Sequence, residues 1–156
     1  TYSATDLEKM LPYLDNCHMV TGTRQRQVLS EEKTQNSMAN VWGNYLLAKL
    51  IQLKYFSLLH LGVVELTDVG CMYRCIRKES LEKIIEKFVK KNTDEPVTDL
   101  KLFAVLMTMI CIENKLKIVE VPITFKRRVG KTKNRSDQKP ILFQAALTIF
   151  RFIISR

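Results

Sequence analysis

Short β-prone segments alternate with long helical ones along this chain, and that alternation limits the possible folds more than any other feature. The patterns predict strands over 18–23, 71–77 and 117–125, and helices over 6–14, 37–59, 79–91, 98–114 and 141–154. After the first short helix, the order strand, helix, strand, helix, helix, strand, helix is typical of an α/β domain. The strands are few and widely spaced, so they form either a small complete sheet or half of a larger one.

Side-chain spacing also predicts which positions face the core. In the helix over 37–59, Met38, Trp42, Leu46, Leu50 and Leu53 recur at helical spacing, and core packing is expected for most of them. Asp6 is expected to cap the short helix that follows it. Pro122 suggests that the last strand lies at an edge of the sheet or carries a bulge.

The overall numbers fit one folded domain with a basic surface. The chain has 156 residues, a net charge of +9 and a pI near 9.5, a balance that favours anionic partners. None of the four cysteines belongs to a Cys-x-x-Cys pair, and the two histidines are far apart. We therefore expect no zinc site, and we expect reduced thiols that are mostly buried.

The stretch FKRRVGKTKN, residues 125–134, ends like a phosphate-binding P-loop. A P-loop requires a glycine five residues before Gly130, and that position is Phe125. The P-loop interpretation therefore fails. Residues 126–139 are rich in lysine and arginine with one acid, Asp137, and on charge alone they are a solvated basic loop.

Three separated stretches resemble one known family. They are MVTGTR over 19–24, LTDVGCMYRCIRKE over 66–79, and KIVEVPITFKRRVGKTK over 117–133. Together, in this order, they resemble the C-terminal half of family 2 glycosyltransferases, especially the transferases that act on polyprenyl or dolichyl phosphates. The resemblance implies an α/β fold, namely a partial GT-A (Rossmann-like) domain. Residues 1–139 would be its acceptor-side half, with a mixed sheet and flanking helices, followed by an apolar helix over 140–156.

The resemblance also implies an activity and its requirements. Such enzymes transfer a hexose from a nucleotide sugar to a polyprenyl phosphate or a glycan. They use a divalent metal, Mg²⁺ or Mn²⁺, held by an Asp-x-Asp motif in an N-terminal donor-binding half. No Asp-x-Asp occurs in this sequence. The metal ligands are therefore expected outside this chain, and the chain alone is expected to be inactive, as a fragment or one of two pieces of a longer transferase.

Five side chains receive roles from the resemblance. Asp68 matches the proposed catalytic base, Arg24 and Arg74 match arginines that bind an acceptor phosphate, and Arg127 and Lys133 match a loop that closes over the nucleotide diphosphate. The residues alone also allow plainer interpretations. Asp68 suits a turn with Gly70, the first two arginines suit surface ion pairs, and the loop suits solvated charge.

The apolar segments of the chain bear on its relation to a membrane. No segment has about 20 uninterrupted apolar residues, the length that a membrane span requires. The last helix fits either docking at a membrane surface or burial in the core, and the family implies a cytoplasmic protein, peripheral at the cytosolic membrane face.

One alternative class is a basic, non-catalytic binding module for anionic lipid or nucleic acid. The sequence lacks the interleaved aromatic and basic residues of a single-strand platform, which argues against nucleic acid. Another is a remnant that keeps the fold without catalysis.

Overall fold

The chain folds as a mixed α/β structure with a small three-stranded sheet and flanking helices. The computed structural model describes residues 2–25, 38–56, 64–94, 100–126 and 139–155. In chain order the elements are α1 (Asp6–Met10), a 3-10 helix (Leu11–Asp15), β1 (Met19–Thr23), α2 (Met38–Lys54), β2 (Arg74–Ile76), α3 (Lys78–Asp94), α4 (Leu100–Glu113), β3 (Ile118–Pro122) and α5 (Lys139–Ser155). The predicted α/β class is therefore confirmed.

The sheet is mixed, and β1 is its central strand. The strand order is β2-β1-β3, in which β1 runs antiparallel to β2 and parallel to β3. Thr21 of β1 lies between Arg74 of β2 and Glu120 of β3 in the register of the sheet. Pro122 is the last residue of β3, opposite Thr23 at the end of β1, and β3 is an edge strand of the described sheet, as its proline predicted.

Most element boundaries agree with the sequence patterns. The strand predicted over 71–77 is shorter than expected, since pairing is limited to Arg74–Ile76. The first predicted helix divides at Pro12, which lies at the start of the 3-10 helix, because proline cannot donate a backbone hydrogen bond inside an α-helix. The end of the predicted second helix, over 57–59, and most of the predicted loops over 24–37 and 126–139 lie outside the described residues.

Alternate residues of β1 serve two cores on opposite faces of the sheet, as the pleat of a strand requires. Met19 faces the larger core, which contains buried side chains of α2, α4 and α5, whereas Val20 faces a smaller one that α1 covers with Met10. The four cysteines are free, and three of them are buried, in agreement with the expectation of mostly buried thiols.

The buried face of α2 is not the one that the spacing suggested. Leu47, Ala48 and Ile51 enter the core. Trp42, Leu46 and Leu53 are among the most exposed large apolar side chains described. Leu50 packs against the larger core as predicted. The prediction was wrong for Trp42, Leu46 and Leu53, because α2 is apolar on more than one face and periodicity cannot choose between faces.

The C-terminal helix packs one apolar face into the larger core. Ile149, Phe152 and Ile153 of α5 are buried, and the Lys54 ammonium of α2 donates a hydrogen bond of 2.6 Å to the carbonyl oxygen of Ile153. Of the two roles that the sequence left open for this helix, core packing accounts for these three side chains. In the part of the chain that the structure describes, no helix is both long enough and apolar enough to cross a membrane.

Asp6 links α1 to the segment just after β3, and the capping prediction was wrong. Asp6 is the first residue of α1 and not its cap, and its fully buried carboxylate accepts a hydrogen bond of 2.7 Å from the backbone nitrogen of Thr124. The Lys9 ammonium donates a second one to the same carboxylate. Burial alone would raise the pKa of Asp6, but these hydrogen bonds outweigh it and hold the pKa below the ordinary value of 3.8.

This lowered pKa predicts a loss of stability in acid. The folded protein binds a proton at Asp6 less readily than the unfolded chain does. The contribution of Asp6 to the free energy of unfolding is therefore complete above about pH 5, and it is lost as the pH falls through 3.8 towards the lower pKa of the folded state. Urea unfolding near pH 6 and near pH 3 measures it. Asp6→Asn should be less stable than the wild type near pH 6, and the gap should narrow near pH 3. A gap of constant size would contradict the assignment.

Replacing each of two glycines by alanine is expected to change the free energy of unfolding in opposite directions. A Cβ on Gly22 of β1 would lie 2.7 Å from Cδ1 and 2.9 Å from Cγ2 of Ile123, whereas one on Gly43 of α2 would meet nothing within 4 Å. We expect Gly22→Ala to cost about 1–3 kcal/mol through overpacking. Gly43→Ala should stabilise by roughly 0.5–1 kcal/mol, because glycine is costly inside a helix. Urea unfolding of both variants tests the pair, and a Gly22→Ala protein as stable as the wild type would contradict the packing argument.

Candidate functional site

Polar side chains gather where the parallel strands β1 and β3 end. The face of the sheet that carries Met19 and Ile118 at one end carries Thr21, Arg74 and Glu120 towards the other. The loop over 66–71 lies against the same end. In open α/β sheets, ligand sites form outside the carboxyl ends of the strands, so this end is the place to look for a site.

Arg24 and Asp68 form a two-pronged ion pair at the centre of this region. Nε of Arg24 lies 2.6 Å from Oδ2 of Asp68, and Nη2 lies 2.8 Å from Oδ1. The backbone nitrogen of Arg24 donates a third hydrogen bond, of 3.2 Å, to Oδ2. The Asp68 side chain is 0% exposed and that of Arg24 is 16% exposed. A parallel fork of this kind is the strongest and most directional pairing that arginine makes with a carboxylate.

One aromatic ring contacts the arginine, and two tyrosines extend the aromatic cluster. The guanidinium carbon of Arg24 lies 5.3 Å from the ring centroid of Phe125, within the range of a cation–π contact. Tyr2 stacks on Tyr73 with centroids 5.3 Å apart and meets the Phe125 ring at 5.6 Å. Burial alone would lower the pKa of Arg24, but the hydrogen bonds and charge of Asp68 raise it above its ordinary value. Arg24 is therefore a fixed positive charge.

The Tyr2 hydroxyl is also held in one protonation state. Burial, reinforced by the neighbouring Cys71, raises the pKa of Tyr2 to about 12. Burial and the nearby Asp68 charge raise the pKa of the Cys71 thiol, which makes that thiol a poor nucleophile. Neither group is suited to act as a base or a nucleophile near neutral pH.

Glu120 anchors the loop that carries Asp68. Its carboxylate accepts hydrogen bonds from the backbone nitrogens of Thr67, at 2.9 Å, and Asp68, at 3.0 Å. The Thr67 hydroxyl donates a further bond of 2.6 Å to the same carboxylate and lies 2.8 Å from the Thr23 hydroxyl. Glu120 was not among the site residues predicted from the sequence. The signal that could have revealed it is an acid in the middle of the apolar strand KIVEVPITF.

Arg74 fastens the other end of the same loop. Its guanidinium donates hydrogen bonds to the carbonyl oxygens of Cys71, at 2.7 Å, and Val69, at 3.1 Å, and to the Thr108 hydroxyl of α4, at 2.8 Å. Burial lowers the pKa of Arg74. Its contacts are with the protein itself, and the acceptor-phosphate role that the resemblance implies for Arg74 stays a prediction.

The turn within this loop approaches α2 closely. The backbone nitrogen of Cys71 donates to the Asp68 carbonyl oxygen at 3.4 Å, which closes the turn predicted around Gly70. A Cβ on Gly70 would lie 3.1 Å from Oδ1 of Asn44 and 3.8 Å from Nη2 of Arg24. The absence of a side chain at Gly70 therefore lets the loop lie against both Asn44 and Arg24.

One buried hydroxyl lies at the centre of the polar row. Thr21 is 1% exposed, and its hydroxyl makes no hydrogen bond among the described residues. In the register of the sheet it lies between Arg74 and Glu120. Buried polar groups are normally paired, so Thr21 adds an unused donor and acceptor to this end of the sheet.

The arrangement brings together three of the five residues selected from sequence. Arg24, Asp68 and Arg74 all lie around the loop over 66–71, while Arg127 and Lys133 lie outside the described residues. With both oxygens of Asp68 on Arg24 and no exposure to solvent, the carboxylate in this conformation orients the arginine. A role as a base would require the pair to separate, and that role stays a prediction. Within the described ranges, no three His, Cys, Asp and Glu side chains group as ligands of a metal ion.

Comparison with models of protein families, with curated proteins and with solved structures finds no match to this chain. A functional assignment must therefore depend on the geometry of this network and on the resemblance of the three stretches that form it.

Proposed function

We propose that the chain is the acceptor-side half of a GT-A glycosyltransferase of family 2, which transfers a hexose from a nucleotide sugar to a polyprenyl phosphate or a glycan. One observation carries the proposal. The three stretches that resemble the family are far apart in the sequence, yet they meet in one hydrogen-bonded network. Arg24 comes from the first, Asp68 from the second and Glu120 from the third. A shared site is a physical reason for three such motifs to occur in one chain.

The network supplies a preorganised guanidinium group. Asp68 holds Arg24 in a partly buried place and balances its charge, so the guanidinium is offered to an anion as an oriented, charge-assisted hydrogen-bond donor. Transfer to a phosphate acceptor requires a group that receives a negative charge without reorganising. In this mechanism Asp68 positions Arg24, and Arg24 faces the acceptor. A phosphate acceptor is already anionic, so the reaction does not need a base to remove a proton from it.

The donor side of the reaction requires more than this chain contains. A divalent metal, Mg²⁺ or Mn²⁺, would neutralise the departing nucleotide diphosphate. The proposal places its Asp-x-Asp ligands in a donor-binding half, supplied by further sequence or by a partner chain. From this chain, Arg127 and Lys133 would add side-chain charge to the diphosphate, Arg127 as a fork and Lys133 as a mobile point charge.

The test is sugar transfer by the full-length protein that contains this chain. Radiolabelled GDP-mannose and UDP-glucose are offered with dolichyl phosphate and Mg²⁺ or Mn²⁺, and labelled lipid is measured. Lys133→Ala should lower turnover roughly 100-fold, the scale for loss of one charge-stabilising group, while the matched Lys131→Ala on the same stretch should leave it nearly unchanged.

Three outcomes would count against the proposal. They are transfer by the 156-residue chain alone, equal turnover of the two lysine variants, and no labelled product with any donor. Salt-sensitive binding to anionic lipid without turnover would instead favour the non-catalytic basic module.

A further inference from the structure

The outer face of α2 presents a line of large apolar side chains to solvent. Trp42, Leu46 and Leu53 are 63%, 62% and 75% exposed. Their spacing of four and seven residues places them on one side of the helix. Tyr45 meets the Trp42 ring edge-on at 6.3 Å, and the Lys49 ammonium lies 5.1 Å from the Tyr45 centroid. We call these five residues the α2 stripe.

The inner side of α2 already has its partners. Leu47, Ala48 and Ile51 are buried in the larger core, and Asn44 lies against the loop at Gly70. The α2 stripe is therefore a second apolar surface, on a helix whose other apolar surface is already buried in the core. A helix that is apolar on both sides is normally covered on both sides, and exposed apolar patches mark interaction surfaces.

The charged side chains of α2 and α5 have one sign. Neither α2 nor α5, which pack together, contains an acidic residue. Lys49 lies within the stripe, and Lys54 ends the helix. By contrast α3 mixes acids and bases, such as Glu82 and Lys83. The partner that fits is apolar and anionic. A second copy of the chain would oppose lysine to lysine, so the stripe is poorly suited to self-association.

We infer that the α2 stripe docks on the surface of an anionic lipid bilayer. Tryptophan, tyrosine and lysine are the residues that occupy the boundary between headgroups and acyl chains. The Leu46 and Leu53 side chains enter the acyl boundary, and Lys49 extends its ammonium to the lipid phosphates. Docking uses α2 and not the C-terminal helix, because Ile149, Phe152 and Ile153 of that helix are buried in the core. This docking does not depend on sugar transfer.

The chain carries its own probe of this docking, because Trp42 is the one tryptophan among these 156 residues. On mixing with vesicles of phosphatidylglycerol and phosphatidylcholine, the Trp42 emission should shift to the blue. Lipids brominated near the headgroup should quench it. Vesicles of phosphatidylcholine alone should give a smaller shift, and added salt should weaken the binding to anionic vesicles. Cosedimentation with the vesicles measures the partition coefficient directly.

Matched surface variants distinguish docking by the α2 stripe from nonspecific adsorption of the protein to vesicles. The double variant Leu46→Ser/Leu53→Ser should weaken partitioning by at least roughly tenfold. Ile85→Ser removes an apolar side chain that is also exposed, but on α3, and should leave it unchanged. Lys49→Glu should weaken the preference for anionic vesicles. Circular dichroism checks that each variant is folded.

Several results would overturn the inference. One is an unshifted Trp42 emission with anionic vesicles. Another is equal partitioning of the double variant and Ile85→Ser. A third is a blue shift without lipid that grows with protein concentration, accompanied by a dimer in sedimentation velocity, since it would assign the stripe to self-association.

Discussion

Replacement of Asp68 by alanine is expected to lower the free energy of unfolding by about 3–5 kcal/mol, the cost of leaving one partner of a buried ion pair without the other. Arg24 would keep its charge in a place where only 16% of its side chain is exposed, and its backbone nitrogen would lose an acceptor. Since a domain has about 5–15 kcal/mol of stability in total, the loss should be visible as a large fall in the urea midpoint.

Three further variants make this measurement specific. Asp15→Ala removes an exposed aspartate and should change stability by about 0.5 kcal/mol or less. Arg24→Met removes the other partner, and the double variant should lose less than the sum of the single losses, by about 1 kcal/mol or more. A loss below about 1 kcal/mol for Asp68→Ala would mean that the pair contributes little.

If the proposed function holds, the same pair distinguishes two roles for Asp68 in sugar transfer. If Asp68 acts by positioning Arg24, Arg24→Met should lower sugar transfer at least as much as Asp68→Asn does. If Asp68 acts as a base, Asp68→Asn should lower it far more and should change its dependence on pH. Both variants are compared at a temperature where circular dichroism shows them folded.

Replacement of Glu120 by alanine has the second largest expected effect, a loss of about 2–4 kcal/mol, because buried donors left without an acceptor are costly. The backbone nitrogens of Thr67 and Asp68 and the Thr67 hydroxyl would all lose the group that they bind. Glu120→Gln keeps one side-chain oxygen and should lose about half as much. The loop over 66–71 would then hold Asp68 less firmly, so the Arg24 pair should weaken as well.

A surface acid provides the control for Glu120. Glu82 of α3 lies 3.8 Å from Lys78 with 64% of its side chain exposed, and Glu82→Ala should change the free energy of unfolding by less than about 1 kcal/mol. Similar losses for Glu82→Ala and Glu120→Ala would contradict a special role for Glu120. Amide hydrogen exchange of Thr67 and Asp68 should accelerate in Glu120→Ala and remain unchanged in the control.

Local patterns predicted the elements well, because helix and strand periods depend on nearby residues. They failed where the outcome depends on distant partners. The apolar residues of α2 fall on two faces, so spacing could not decide between Leu47 and Leu46 for the core. Asp6 has the residue type of a cap, but it is the first residue of α1, and its carboxylate is used by Thr124, which is 118 residues away.

The candidate site shows the same division. Sequence selected Arg24 and Asp68 separately, with an ion pair among the options for the arginine. Their pairing with each other spans 44 residues and is a product of the sheet topology. Glu120 was missed because an acid in a β-prone run reads as a solvent-facing position of an edge strand. Only the neighbouring loop, which places two backbone nitrogens over the strand, makes that position an anchor.

The central place of β1 has a consequence for the synthesis of the protein. Met19 of β1 pairs with Ile118 of β3, 118 − 19 = 99 residues later in the chain. At about 5–20 residues per second, β1 leaves the ribosome roughly 5–20 s before the strand that completes its pairing. Over that interval one side of β1 has no native strand beside it, and an unpaired strand edge can associate with other chains. We therefore expect chaperone dependence to concentrate in this early segment, and truncation before β3 to yield an insoluble product.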